Sequence, residues 1–195
     1  MSKCMLCNKK IKFSRNCLVL NEIICSTCCG TKRELEIKCT GDCKYLIEGQ
    51  IKVNNKQIMQ LVKSKFNREE EDIYQDDKIL ELVLPFEQFL FYNYYNDINF
   101  TDDFMTEFST KLFYSLEEKG SIYIFNETET ELFDEFSRIA EKTKMPIESQ
   151  KLIILRIMKS VDNMTGGAFG NRMYLELLRN HFTGTGVVAE VMGKK

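Results

Sequence analysis

Residues 4–43 read CMLCNKKIKFSRNCLVLNEIICSTCCGTKRELEIKCTGDC, and this stretch contains all 8 cysteines of the 195-residue chain. Few of its side chains are large and apolar, so we expect it to need a cross-link or a bound metal to hold a fold. Thiolates are the ligands that zinc takes in structural sites. The stretch therefore predicts a small metal-bound module at the N-terminus.

The compartment decides how the cysteines are interpreted. The start of the chain, Met1-Ser2-Lys3-Cys4, lacks the long apolar run of a signal peptide, and no segment offers about 18 uninterrupted apolar residues for a membrane span. We therefore expect a cytoplasmic protein with no membrane partner. Because a reducing cytosol keeps thiols free, zinc ranks first, an iron-sulfur cluster second and structural disulfides third.

The cysteine spacing contains two CxxC turns, Cys4-x2-Cys7 and Cys25-x2-Cys28. A CxxC turn directs two sulfurs to one face, so two such turns brought together complete a tetrahedral site. A third turn, Cys39-x3-Cys43, contains Gly41, which can take a left-handed backbone conformation. The spacing indicates metal more firmly than it indicates which turns pair.

Successive side chains diverge, so the neighbours Cys28 and Cys29 are assigned to separate ions. Two sets of four thiols then predict two zinc ions, and one zinc with spare thiols is the alternative. For Cys17 the competing interpretation, given even weight, is a small buried hydrophobe on an apolar strand at Cys17–Leu20. The candidate metal ligands are Cys4, Cys7, Cys17, Cys25, Cys28, Cys29, Cys39 and Cys43.

Charge is unevenly distributed. From Met1 to Lys65 the chain carries 13 Lys+Arg against 5 Asp+Glu, a net charge of +8, whereas the remainder carries 14 against 24, a net of −10. Each filled four-cysteine zinc site adds −2, so two sites leave this segment at about +4. A mildly basic surface suits phosphates, and it equally suits docking onto the acidic remainder of the chain or onto an acidic partner.

After the cysteines, the apolar spacing becomes helical and predicts a bundle. Helices are expected from Asn54, from Asp77 to about Asn96 with a kink or break at Pro85, from Thr101 to Gly120, over Thr128–Lys142, from Pro146, and from Phe169 or Gly170 to His181. The predicted class is mainly α, with a zinc-ribbon or treble-clef-like module joined to a helical bundle. The predicted domains are residues 1–48, 49–182 and a loose tail at 183–195.

The segments Cys25-Ser26-Thr27-Cys28-Cys29-Gly30-Thr31-Lys32-Arg33, Ile37-Lys38-Cys39 and Asp42-Cys43-Lys44-Tyr45-Leu46 resemble a family of uncharacterised bacterial proteins. The shared pattern is C-x2-C-C-G-x2-R followed by I-x-C-x3-C-x-Y-L, then a helical region with a glycine-aromatic turn like residues 120–125. The resemblance implies a core site of Cys25, Cys28 or Cys29, Cys39 and Cys43, with Cys4, Cys7 and Cys17 as an additional set. It implies no activity.

No catalytic constellation emerges from the sequence. Gly166–Arg172 lacks the Lys-Ser/Thr of a P-loop and is interpreted as a turn, and His181 is the only histidine. We expect a non-catalytic zinc-binding protein that acts through a protein partner of the helical domain, where Tyr92–Tyr95 is the best exposed-aromatic candidate. The second alternative, ranked third after nucleic-acid binding, is iron-sulfur or thiol redox chemistry, which the absence of a C-x2-C-x2-C run disfavours. The main alternative is nucleic-acid binding by the module through Lys9, Lys10, Lys12, Arg15, Lys32, Arg33, Lys38 and Lys44.

Overall fold

The computed structural model describes residues 2–66, 76–117, 123, 125–165 and 172–184. The chain forms two compact units, Met1–Lys52 and Val53–Lys195. The described part is mainly helical and carries a cysteine cluster near its N-terminus, which confirms the predicted class. Its elements in chain order are β1 Ser14–Cys17, β2 Glu22–Cys25, α1 Ser26–Lys32, α2 Lys44–Lys65, α3 Asp77–Tyr94, α4 Asp102–Ser115, α5 Glu127–Thr143, α6 Ile147–Thr165 and α7 Met173–Thr183.

The first unit contains, in chain order, a tight turn, a β-hairpin and α1. In the turn, the Cys4 amide donates to Lys9 O at 2.9 Å and the Asn8 amide donates to Cys4 O at 2.7 Å, with Asn8 in a left-handed conformation at φ 56°. Strand β1 then pairs antiparallel with β2. This order of turn, hairpin and helix corresponds to the treble-clef-like alternative of the two predicted modules.

The predicted strand at Cys17–Leu20 is wrong in its position. Cys17 is the last residue of β1 and pairs with Glu22, so residues 18–21 form the hairpin turn. Asn21 takes φ 50°, which extended strands do not allow, and Leu18 is 58% exposed. The apolar run was therefore a misleading signal: the strand lies in the more polar residues just before it.

The second unit is a helical bundle around an aromatic and aliphatic core. Helix α3 packs against α5 and α7, α4 packs against α6, and α6 also contacts α7. Ile58 and Val62 of α2 contribute to the same core. Most large side chains at the predicted helical spacing are buried here, as the periodicity indicated, including Leu82, Phe86, Leu90, Phe108, Leu112, Leu132 and Phe136.

The start of α4 follows the predicted cap at Thr101, whereas α5 starts at Glu127 with its cap at Asn126, just ahead of the predicted start at Thr128. Thr101 caps α4 by accepting from the Phe104 amide at 3.2 Å. Asn126 caps α5, and its side chain and that of Glu129 exchange hydrogen bonds with each other's backbone amides. Such a reciprocal capping box satisfies two amides that the helix itself leaves without partners.

Two helix predictions differ from the structure. Helix α2 begins at Lys44 rather than Asn54, because its first turns bury Leu46 and Ile51. Pro85 does not divide the second predicted helix: α3 runs through it from Asp77 to Tyr94. A proline inside a helix removes one backbone hydrogen bond, and packing of both flanks into the core outweighs that loss.

Some predictions fall on residues that the structure does not describe. These are the glycine-aromatic turn at residues 120–122 and 124, the glycine turn at residues 166–171 and the tail from residue 185. Helix α7 ends at Thr183, slightly beyond the predicted end at His181. Across the described ranges, none of the helices combines the length and apolar character needed to cross a bilayer.

A buried ion pair joins α4 to α5. Lys111 Nζ lies 2.6 Å from Glu129 Oε1, and the two side chains are 8% and 2% exposed. The same Glu129 carboxylate accepts the Asn126 amide at 2.8 Å, so the ion pair also holds the cap of α5. Removing one partner of such a pair leaves an uncompensated charge away from water, which is costly.

We therefore expect Lys111→Met to lower the free energy of unfolding by about 3–5 kcal/mol, because Glu129 would lose its counter-charge in the core. Helicity followed during urea unfolding of the full chain measures this. The matched control is Arg138→Met, which breaks the exposed Arg138–Glu135 pair and should change stability little. Equal losses in the two variants would show that burial of the Lys111 pair is not the cause.

Candidate metal centre

Four cysteines of the first unit converge from two places in the fold. Cys4 and Cys7 flank the N-terminal turn, Cys25 ends β2, and Cys28 lies in the first turn of α1. All four sulfur atoms lie within 4.8 Å of one another. Among the described residues, this is the one group of cysteine, histidine or carboxylate side chains that the fold gathers in this way.

The spacing of the sulfurs fits a tetrahedral metal ion. Zinc binds thiolates at about 2.3 Å, so two sulfurs on a tetrahedral ion are about 3.8 Å apart. Cys7 Sγ and Cys25 Sγ are 3.9 Å apart, and no disulfide joins the described cysteines. The residues present therefore match an all-thiolate site in donor type, number and spacing.

Backbone amides point at these sulfurs. The Cys25 amide donates to Cys4 Sγ at 3.2 Å, and the Cys28 amide donates to Cys25 Sγ at 3.3 Å. The second bond also makes Cys25 the N-cap of α1, so one sulfur both joins the thiol group and starts the helix. These donors fix the sulfur positions and stabilise negative charge on them.

The thiols of Cys4 and Cys28 differ strongly in pKa. Burial acts to raise the pKa of Cys4, but amides of Cys25, Cys7 and Leu6 outweigh it and lower the pKa to about 6. The pKa of Cys28 is raised to about 12, first by its hydrogen bond with Cys25 and then by burial. Four adjacent thiols cannot all ionise unless a cation compensates their charge, so metal binding here releases protons.

The other four cysteines lie outside this group. Cys17, Cys29 and Cys43 are buried, and Cys39 is partly buried. The pKa of Cys39 is raised by burial, then by the nearby charges of Cys43 and Glu34. The structure thus brings together the cysteines of the two CxxC turns and not the set implied by the family resemblance. Metal binding by Cys17, Cys29, Cys39 and Cys43 stays a prediction.

Cys28 and Cys29 face different surroundings, as their adjacency predicts. Cys29 Sγ accepts from Arg15 Nη1 at 3.3 Å and from Arg33 Nη2 at 3.8 Å. Two guanidinium groups therefore lie close to Cys29 Sγ, which is not part of the four-thiol group. Sequence reasoning treated both arginines as exposed phosphate ligands and missed this internal role.

The position of Arg33 explains a glycine inside α2. Arg33 Nη1 donates to Tyr45 O at 2.6 Å, and a Cβ atom on Gly49 would lie 2.1 Å from that nitrogen. Any other residue at 49 would displace the arginine. The sequence analysis missed this close approach, because it started the helix at Asn54 and so left Gly49 outside any predicted helix.

Comparisons with protein-family models, with curated proteins and with solved structures found no match to this chain. The resemblance to the uncharacterised bacterial family therefore rests on its motif residues alone and stays a prediction. The properties of the site are those of the side chains described above.

The geometry predicts a metal-dependent first unit. On treatment with a zinc chelator, we expect deuterium uptake to rise sharply across residues 3–32, because the Cys25 and Cys28 amides lose the sulfur acceptors that the ion holds in place. Hydrogen-exchange mass spectrometry of the full chain measures this. Peptides of α3 to α7 are the internal control and should keep their uptake. An unchanged first unit after verified metal removal would show that the thiols hold it unaided.

Proposed function

We propose that this chain is a non-catalytic zinc protein, in which zinc bound by Cys4, Cys7, Cys25 and Cys28 holds the N-terminal unit in shape for a macromolecular partner. The observation that carries the proposal is the convergence of these four sulfurs within 4.8 Å. A metal ion with four protein thiolates has no open position for a substrate, which is typical of structural rather than catalytic sites.

Zinc is favoured over other metals by the donor set. Four sulfurs in a tetrahedral arrangement suit zinc or iron, whereas calcium and magnesium require oxygen. The backbone amides that reach Cys4 and Cys25 sulfurs support a closed thiolate site of either kind. The chain lacks the compact cysteine run of bacterial ferredoxins, which favours zinc.

We propose a second zinc on Cys17, Cys29, Cys39 and Cys43, in line with the two-ion interpretation of the sequence. Cys17 and Cys29 belong to one apolar cluster, and Cys39 packs against it. The charge of Cys43 raises the pKa of Cys39. An all-thiolate zinc site carries a net charge of −2. Arg15 and Arg33, which donate to Cys29 Sγ, would offset that charge. One zinc with four spare thiols remains the competing count.

A protein partner for the helical unit remains the sequence-based part of the proposal. Of the aromatic residues at 92–95, Tyr92 is 67% exposed. Tyr94 is buried, with its hydroxyl donating to Glu131 at 2.6 Å, and Tyr95 donates to Glu176 at 2.8 Å. A partner surface at this place would therefore use Tyr92 rather than the whole cluster.

Metal content tests the zinc sites directly. Elemental analysis of the full chain, purified without added metal, should give two zinc atoms and no visible colour. Cys4→Ser with Cys7→Ser should lose one zinc, and Cys39→Ser with Cys43→Ser should lose the other, since each pair removes two of four ligands.

The control is a variant with Ser2→Ala and Ser14→Ala, which alters two exposed hydroxyls near the first site without touching a thiol. It should keep the full zinc content. A content of one zinc per chain that stays the same when Cys39 and Cys43 are replaced would establish a single site. Iron with a brown chromophore would overturn the proposal in favour of redox chemistry.

A further inference from the structure

A groove opens beside the first thiol group. It encloses about 560 Å³ and is lined on one side by Cys7, Lys9, Lys10, Lys12 and Phe13 and on the other by residues 25–28. That volume falls in the ~300–1,000 Å³ range of sites that bury small organic groups. The groove is therefore large enough for a nucleotide-sized unit.

Positive charge is available at this groove. Lys9, Lys10 and Lys12 are exposed, and among the described residues none of them has a carboxylate within ion-pair distance. Three ammonium groups exceed the two negative charges of a filled four-thiolate zinc site. The groove therefore stays positive when the metal is bound.

Three other basic residues of the first unit are engaged in contacts within it. Lys32 pairs with Glu36. Arg33 donates to Tyr45 O, and Arg15 donates to Cys29 Sγ and lies 4.8 Å from the centre of the Tyr45 ring. The broad basic surface expected from the sequence is thus reduced, and three adjacent lysines at one groove remain available.

An exposed aromatic ring stands next to these lysines. Phe13 is 73% exposed, so its ring is accessible from solvent. Its backbone is held, because Phe13 O accepts the Ser26 amide at 3.1 Å at the start of α1. A ring on a fixed backbone beside free lysines is the combination that binds unpaired bases by stacking and their phosphates by charge.

We propose that this groove binds single-stranded nucleic acid, with phosphates on Lys9, Lys10 and Lys12 and a base stacked on Phe13. The inference deepens the proposed function by naming a partner class, and it rests on it, because the zinc ligands Cys7, Cys25 and Cys28 form part of the groove wall. Lysines act as point charges and any base can stack on phenylalanine, so the binding is not sequence-specific.

The test is fluorescence anisotropy of labelled oligothymidine with the zinc-loaded full chain. Three phosphate contacts on a single strand predict a slope of about −2 for the logarithm of affinity against that of salt concentration. Phe13→Ala should weaken binding roughly 5- to 100-fold, the loss of about one stacked base. Replacing Lys9, Lys10 and Lys12 together by Gln should abolish both binding and salt dependence.

The matched control replaces three exposed lysines that do not line the groove, Lys52, Lys56 and Lys78, by Gln, and it should leave affinity unchanged. Zinc content is measured on every sample, so that failure of the groove and failure of the zinc site are distinguishable. Lost binding in the groove variant with its zinc retained supports the inference.

Three outcomes would overturn it. A zinc-loaded chain that does not bind oligothymidine ends the inference and leaves the zinc site standing, whereas a chain without zinc ends the proposed function itself. An equal loss in the control variant would indicate non-specific charge attraction. Displacement of oligothymidine by polyglutamate at equal concentration of charge, with no effect of Phe13→Ala, would assign the groove to an acidic protein instead.

Discussion

The first unit depends on bringing four sulfur atoms to one point. Cys4 and Cys7 come from the N-terminal turn, and Cys25 and Cys28 come from the junction of β2 and α1, so the convergence fixes the turn against the hairpin and the helix. This convergence also brings together thiols whose negative charges, when they ionise, a bound cation would compensate. Sulfurs this close repel when they ionise, and the pKa of Cys28 is raised by its hydrogen bond with Cys25 and by burial. This arrangement predicts that folding of the first unit is linked to metal binding.

The second unit reaches stability by other means. Its helices bury a continuous aromatic and aliphatic core, and specific polar pairs lie within or beside it. Lys111 meets Glu129, and the Tyr174 hydroxyl donates to Glu87 at 2.8 Å. A buried polar group without a partner would cost free energy, so these bonds specify which helix faces meet. The chain thus combines a unit organised by thiols with a unit organised by packing.

Local signals in the sequence predicted much of this arrangement. The CxxC spacing identified the four converging thiols, and the cap at Thr101 marked one helix start, because each signal acts over a few residues. Features set by distant contacts were missed. The start of α2 at Lys44 depends on burying Leu46 and Ile51, and the role of Arg33 depends on space above Gly49. Neither partner is visible from neighbouring positions in the chain.

Helix α7 has no side-chain cap of its own, since Arg172 at its N-cap makes no such bond. Asp102 supplies it from α4, accepting the Met173 and Tyr174 amides at 2.8 and 3.0 Å, across separations of 71 and 72 residues. An isolated helix of 11 residues is marginal in water. During synthesis, α7 therefore becomes a stable helix only after docking on a completed α4. Until α7 emerges from the ribosome, the Asp102 carboxylate lacks these two amide donors.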